Sequence, residues 1–155
     1  MAVIDDLMKT ELVTAAADES VAHAAYSMAR NGVGAVLVLE GGKLVGVLSE
    51  RDVMARVVAE GRDPTATRVA EVATSELITA DVGVSLRDCA ALLQSHGIRH
   101  LPILKEGRPV GILSSRDFLA YVAGGLERMI QHARYREALA RGDDPYDHLG
   151  GAYGD

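Results

Sequence analysis

The sequence carries two copies of one pattern at a constant offset of 65 residues. Residues 13–53 align with residues 78–118 without a gap, and 13 of the 41 paired positions are identical. A repeat of this length corresponds to one supersecondary unit, which cannot bury its hydrophobic face without a neighbour. The duplication therefore predicts two similar units that pack against each other.

Each copy contains the signals of a helix followed by a hairpin. Ser20 and Ser85 occupy N-cap positions, apolar residues then recur at helical spacing, and a glycine stands just past each predicted helix. Two strands follow in each copy, joined by a glycine-containing turn. A second helix is predicted to begin near Asp52 and, in the second copy, near Asp117. The predicted strands are 35–39 and 44–49, and then 100–104 and 110–114.

The predicted fold class is α/β (α+β): two β-α-β-β-α units packed sheet to sheet with pseudo-twofold symmetry, plus a C-terminal helix. A single unit leaves one sheet face open, and packing two sheets together covers both faces. This arrangement leaves two equivalent clefts beside the strand ends and the second helices. The predicted boundaries are 1–62 for the first repeat, 63–123 for the second, and 124–155 for a helix to about Arg141 followed by a loop.

Composition excludes several classes of function. The net charge is −6 and no run of Lys and Arg occurs, which argues against nucleic-acid binding. The apolar stretches are too short to cross a bilayer, so no membrane association is expected. The N-terminus lacks a basic region followed by an apolar one, and the single cysteine, Cys89, cannot form an internal disulfide. A cytoplasmic protein is therefore expected.

Two motifs, one in each copy, carry a resemblance to a known family. Residues 46–52 read GVLSERD and residues 111–117 read GILSSRD, and residues 98–103, IRHLPI, precede the second motif. Together with the opening residues 7–10, LMKT, they resemble the CBS (cystathionine β-synthase) domain family. The resemblance covers most of the chain, and its two full copies make it specific.

The resemblance implies a tandem pair of CBS domains that acts as a regulatory module without catalytic activity. It implies a ligand in the clefts, AMP, ADP or ATP first, with NAD or S-adenosylmethionine as further candidates, and no cofactor. It also implies a regulated protein that is separate from this chain. The family habit of pairing through helices, together with an apolar stripe on the tail helix, predicts a homodimer.

The residues themselves suit a nucleotide. A carboxylate such as Asp117 can accept hydrogen bonds from both ribose hydroxyls, and phosphate needs hydroxyl donors and positive charge. The base needs a slot lined by small aliphatic side chains. The cleft closed by Asp117 is predicted to be the better site because only the second copy has a basic pair before its central strand. Its predicted residues are Met8, Thr10, Val13, Val33, Gly34, Arg99, His100, Ile112, Ser114, Arg116 and Asp117. The second, weaker cleft is predicted to use Ile78, Ile98, Val47, Ser49, Arg51 and Asp52.

Other interpretations remain open at this stage. The spacing of Ser49 and Asp52, and of Ser114 and Asp117, is also that of a helix capping box. The pair could serve as a dimerisation scaffold with empty clefts, or, less well supported, as an enzyme. No metal site is predicted, because a glycine ends the helix between His96 and His100, the two histidines with ligand-like spacing.

Overall fold

The computed structural model describes residues 4–143, which form two compact units that divide between Asp117 and Phe118. The first unit contains two three-stranded sheets, ordered β1-β2-β3 and β4-β5-β6. Its strands are β1 (Thr14–Ala16), β2 (Ala35–Glu40), β3 (Lys43–Ser49), β4 (Ala80–Asp81), β5 (His100–Lys105) and β6 (Arg108–Ser114). The helices are α1 (Val21–Asn31), α2 (Glu50–Val53), α3 (Val69–Val72), α4 (Leu86–Ser95) and α5 (Ser115–Arg141), and a π-helical segment, Met54–Val58, follows α2.

The predicted helices and hairpins are confirmed. The Ser20 and Ser85 hydroxyls accept hydrogen bonds from backbone N–H groups at the starts of α1 and α4. Gly32 and Gly97 adopt positive φ angles of 62° and 60° just past the ends of these helices, a conformation that glycine adopts at little cost. Strands β2 and β3 pair antiparallel, as do β5 and β6. Strands β3 and β6 lie against each other, so the expected packing of the two repeats through their sheets is observed.

The parallel strand of each sheet differs between the repeats. In the first repeat, the Leu37 N–H donates to the Val13 carbonyl oxygen at 3.2 Å, beside the three residues of β1. Pro102 occupies the equivalent position of the second repeat, and proline has no N–H to donate. This missing donor accounts for the shorter β4, in which only two residues pair with β5.

The first residues of each repeat pack into the other repeat. We call residues 4–9 and residues 69–74, which share the offset of 65, the leading segments. The core of the second repeat contains the buried Ile4 and Leu7, whereas the core of the first contains Val69 and Val72. Each core therefore includes residues from the other side of residue 62.

Backbone hydrogen bonds fix this exchange. Lys9 pairs with Ile112 of β6 through two bonds of 3.0 Å, and Thr74 pairs with Val47 of β3 through bonds of 3.0 and 2.9 Å. The leading segments thus extend the opposite sheets by one short bridge each. Each repeat becomes complete only when the other supplies its leading segment.

Two equivalent glycines make room for the exchange. A Cβ atom added to Gly46 would lie 2.9 Å from the Thr74 carbonyl oxygen, which is closer than real contacts of this kind. At Gly111 an added Cβ would collide with the side chain of Met8. A side chain at either position would therefore meet the leading segment of the other repeat, at Gly46 a backbone oxygen and at Gly111 first a methionine side chain.

The second helices of the two repeats are unequal. Helix α2 has four residues and passes into the π-helical segment, whereas α5 continues for 27 residues. The helix expected near Asp117 and the tail helix expected after residue 124 are one helix, which runs through Gly124 and Gly125 without a break. Its end at Arg141 agrees with the prediction, and the loop predicted from Asp143 lies, except for Asp143 itself, outside the described residues.

Candidate functional site

Two clefts lie in the first unit, and each combines residues of both repeats. The Asp117 cleft has a volume of about 530 Å³ and the Asp52 cleft one of about 400 Å³. The Asp117 cleft is lined by nine of its predicted residues: Val13, Val33, Gly34, Arg99, His100, Ile112, Ser114, Arg116 and Asp117. The Asp52 cleft is lined by all six of its predicted residues: Val47, Ser49, Arg51, Asp52, Ile78 and Ile98.

Two predicted residues, Met8 and Thr10, are not among those that line the Asp117 cleft. Met8 lies against Gly111 and packs beside the core of the second repeat, where it helps to anchor the leading segment. Thr10 is exposed between the leading segment and the cleft wall. The residue of this stretch that does line the cleft is Lys9.

Sequence reasoning missed several lining residues. In the Asp117 cleft they are Lys9, Glu11, Leu12, Gly32, Ala35, Leu37, Ser49, Glu50 and Ser115. In the Asp52 cleft they are Ala55, Arg56, Thr74, Glu76, Leu77, Gly97 and Pro102, together with Arg99 and His100, which are discussed below. Lys9 and Thr74 are related by the offset of 65, which could have identified them as equivalent. Nothing in the local sequence shows that each serves the opposite repeat.

Both oxygens of the Asp52 carboxylate accept hydrogen bonds from other groups of the protein. Its Oδ2 accepts hydrogen bonds from the Ser49 backbone N–H at 2.9 Å and from the Ser49 hydroxyl at 3.0 Å. Its Oδ1 accepts from the Thr74 hydroxyl at 3.2 Å, and the guanidinium of Arg56 lies 3.8 Å away. With the Ser49 hydroxyl accepting from the Asp52 N–H in return, this is a complete capping box. Asp52 therefore joins α2 to the leading segment of the second repeat.

The Asp117 carboxylate is much less engaged, although its motif is the same. Its Oδ2 accepts one hydrogen bond, from the Ser114 hydroxyl at 2.7 Å, and the same hydroxyl accepts from the Asp117 N–H at 3.1 Å. Across residues 4–143, no hydrogen bond reaches its Oδ1. Lys9 stands where the other cleft has Thr74, and it leaves this oxygen unbonded. Asp117 is half-buried, so its free oxygen is available to a ligand hydroxyl in the cleft.

Arg99 and His100 line both clefts. The Arg99 carbonyl oxygen accepts from the Ser115 N–H at 2.9 Å, which ties the start of β5 to the start of α5. The imidazole of His100 lies beside Gly34, where an added Cβ would be 3.3 Å from Nε2 and 3.5 Å from the carboxylate of Glu50. The space left by Gly34 is thus faced by His100 and Glu50.

The charge state of His100 follows from these surroundings. Burial lowers its pKa below the ordinary value of 6.5, and the adjacent Arg99 lowers the pKa further. The carboxylates of Glu50, Asp117 and Asp52 act in the opposite direction but do not reverse the shift. His100 is therefore neutral at pH 7 and can donate one hydrogen bond and accept another.

The clefts also differ in their main-chain groups. Ile78 and Pro102 both line the Asp52 cleft, and the proline cannot give Ile78 the hydrogen bond that Leu37 gives Val13. The Ile78 carbonyl oxygen can therefore accept a hydrogen bond from a ligand at a position where the Val13 carbonyl oxygen of the Asp117 cleft already accepts one from Leu37.

Other types of site find no support among the described residues. Between residues 4 and 143, no group of three or more acidic, histidine or cysteine side chains is arranged to hold a metal ion. The Cys89 thiol is buried in the second core, where burial raises its pKa, and it lines neither cleft. No helix in the part of the chain that the structure describes is long and apolar enough to span a membrane.

Comparison with known proteins agrees with this architecture. The family model described as "CBS domain" matches residues 4–59 and 69–124. The chain is 38% identical to the CBS domain-containing protein YhcV of Bacillus subtilis over 117 residues, 76% of this chain and 83% of YhcV. A solved structure of a Burkholderia ambifaria protein with CBS domains has a TM-score of 0.70 and 34% identity, covering 73% of this chain and 83% of that one. The CBS domain pair of protein MJ0100, solved with 5′-methylthioadenosine and S-adenosyl-L-methionine, has a TM-score of 0.70 at 23% identity, which shows a shared fold. That match covers 79% of this chain and 99% of the MJ0100 chain.

Proposed function

Because the chain belongs to the CBS domain family, we propose that it is a non-catalytic regulatory module that binds an adenosine-containing nucleotide. AMP, ADP or ATP is the proposed ligand, and the Asp117 cleft is the proposed main site. The module acts on a separate protein, whose contacts with it change when the nucleotide binds.

The observation that carries this proposal is the free oxygen of Asp117 inside a cleft that also holds basic side chains. In the Asp52 cleft, both oxygens of the equivalent carboxylate accept hydrogen bonds from the protein. A carboxylate with one unbonded oxygen can accept a charge-assisted hydrogen bond from a ribose hydroxyl. The capping interpretation thus accounts for Asp52, whereas it leaves part of Asp117 unused.

The remaining groups of the Asp117 cleft suit the other parts of a nucleotide. Lys9, Arg99 and Arg116 supply positive charge for phosphate, and the Ser114 hydroxyl supplies a further polar group. Val13, Val33 and Ile112 supply an apolar wall for the base. The cleft volume of about 530 Å³ lies within the range of small-molecule sites.

A thermal-shift panel tests the proposal directly. A ligand at a hundred times its Kd adds about 2.7 kcal/mol to the free energy of unfolding. For a chain of this length that corresponds to a rise in Tm of about 5–10 °C. We expect this rise with AMP, ADP or ATP. If these three, NAD and S-adenosylmethionine all leave Tm unchanged at millimolar concentration, the chain is instead an interaction scaffold with empty clefts.

A second copy of this chain is the proposed partner of the tail helix. Leu119, Val122, Leu126, Met129 and Ile130 are exposed along one face of α5, a helix with no buried residue although all 27 are described. Helices in proteins owe most of their stability to the packing of such a face. A second copy presents the same stripe, so pairing about a twofold axis covers both. Light scattering at micromolar concentration should give about twice 16.4 kDa; a mass near 16.4 kDa would refute the pairing.

A further inference from the structure

The two clefts share three lining residues, Ser49 from the first repeat and Arg99 and His100 from the second, so the second repeat supplies the ionisable side chains of this shared lining. Arg99 and His100 line both clefts, whereas the equivalent positions of the first repeat hold Gly34 and Ala35. Had both repeats carried a basic pair, each cleft could have had its own. The chain instead has a single guanidinium and a single imidazole at the boundary between them.

Each cleft has two cationic side chains of its own besides Arg99. The Asp117 cleft has Lys9 and Arg116, and the Asp52 cleft has Arg51 and Arg56. Arg56 is already committed to the fold, because it donates to a main-chain carbonyl oxygen at 2.8 Å and lies 3.8 Å from an acidic side chain.

Acidic side chains offset these cations. Glu11, Glu50 and Asp117 line the Asp117 cleft, and Asp52 and Glu76 line the other. Without Arg99, therefore, neither cleft has more positive than negative side chains. Arg99 brings the Asp117 cleft to three cations and three carboxylates, and it gives the Asp52 cleft one cation in excess. In either cleft the shared guanidinium is therefore needed to offset the acidic side chains around a phosphate.

We propose that phosphorylated ligands bind the two clefts in competition, because Arg99 and His100 can serve a phosphate in only one cleft at a time. This inference rests on the proposed nucleotide-binding function and adds its regulation. The first phosphorylated ligand occupies the Asp117 cleft and weakens the second site by about 10-fold or more, the effect of losing a hydrogen bond to a charged group. An uncharged nucleoside has no phosphate that needs Arg99, so it binds the two clefts independently.

Calorimetric titration of AMP and adenosine into the wild-type protein and Asp117→Ala tests the competition. In the variant the Asp52 cleft fills first, with Arg99 available to it. Its affinity for AMP should then exceed the second-step affinity of the wild type by about 10-fold or more. Adenosine should show the same Asp52-cleft affinity in both proteins.

Two arginine variants identify the shared side chain. With Arg99→Gln, the AMP affinity of the Asp52 cleft should no longer differ between proteins with and without Asp117→Ala. Arg108→Gln, an exposed arginine at the start of β6 that lines neither cleft, should leave the difference intact.

The possible failures are distinguishable. Equal AMP affinity of the Asp52 cleft in wild type and Asp117→Ala overturns the competition but leaves nucleotide binding in place. Absence of binding by both AMP and adenosine overturns the proposed function and the competition with it.

Discussion

Replacing Asp52 by alanine should destabilise the fold far more than the same change at Asp117, although both residues end the same motif. Asp52 is 8% exposed and accepts three hydrogen bonds, one of which, from Thr74, holds the leading segment of the second repeat. Asp117 is half-buried and accepts one. The stability cost should follow the number of interactions lost.

The magnitudes separate the two variants clearly. Loss of a helix cap costs about 0.5–2 kcal/mol, and loss of buried hydrogen bonds to a charged group costs about 1.5–3 kcal/mol. We therefore expect Asp52→Ala to lower the free energy of unfolding by about 2–4 kcal/mol. For a chain of this size the corresponding fall in Tm is about 5–15 °C. Asp117→Ala, which loses one partly solvated bond, should cost about 1 kcal/mol and a fall of about 2–4 °C.

Thermal unfolding followed by circular dichroism, with urea unfolding at 25 °C as a second measure, checks these values without ligand. Nucleotide titration should give the opposite order, because Asp117→Ala should weaken binding about 10- to 150-fold and Asp52→Ala should affect the Asp117 cleft little. Thr74→Val is the matched control, because it removes only the hydroxyl that reaches Asp52 and should reproduce part of the stability loss. Equal destabilisation by the two aspartate substitutions would refute the role of Asp52 in stabilising the fold. Nucleotide binding that is lost in Asp52→Ala but stays tight in Asp117→Ala would refute the role of Asp117 in binding the ligand.

Two further predictions concern packing and pH. Gly46→Ala should lower the free energy of unfolding by about 1–3 kcal/mol because its Cβ would lie 2.9 Å from a backbone oxygen. Gly111→Ala should cost less because its closest contacts are with a methionine side chain that can move, and the nearest backbone oxygen, that of Lys9, lies farther away at 3.2 Å. Urea unfolding of the two variants compares the costs, and equal costs would contradict the reasoning. His100 has a folded-state pKa below 6.5, so the unfolded chain binds its proton first as the pH falls. The contribution of His100 to stability should be complete above about pH 6.5 and be lost as the pH falls toward the lowered pKa, so Tm measured from pH 7.5 to 5 should fall less in His100→Gln than in wild type. The same fall in both proteins would show that other groups dominate.

The sequence predicted those parts of the fold that local patterns encode. Helical spacing after Ser20 and Ser85, and glycine-containing turns between apolar runs, identified α1, α4 and both hairpins within two residues. The sequence predicted two helices where the structure has the single helix α5. Two successive glycines, Gly124 and Gly125, lie at the predicted break, and each disfavours a helix interior by about 1 kcal/mol. The cooperativity of a helix of this length absorbs that cost.

The exchange of leading segments was not predictable from local patterns. The apolar spacing of residues 4–9 and 69–74 is compatible with packing on their own repeat and with packing on the other, so it does not indicate which of the two occurs. The clefts show the same limitation. All six residues predicted for the Asp52 cleft line it, because the offset of 65 maps one motif onto the other, but its further lining residues, among them Arg56 and Thr74, were not predicted. The difference between Asp52 and Asp117 depends on Thr74 and Lys9, which lie far away in sequence and become neighbours only through the exchange.

The exchange of leading segments also has a consequence for how such a chain could have arisen. A polypeptide of half this length, with one repeat, would carry a leading segment that its own core does not use and would lack the one that its core needs. Two such molecules would complete each other by domain swapping, as a symmetric dimer. Joining two such halves in one chain turns an encounter between molecules into a contact within one, at an effective concentration in the millimolar range for a short connection. Separate expression of the two halves of this chain should therefore yield fragments that are unstable as monomers and fold only when they pair.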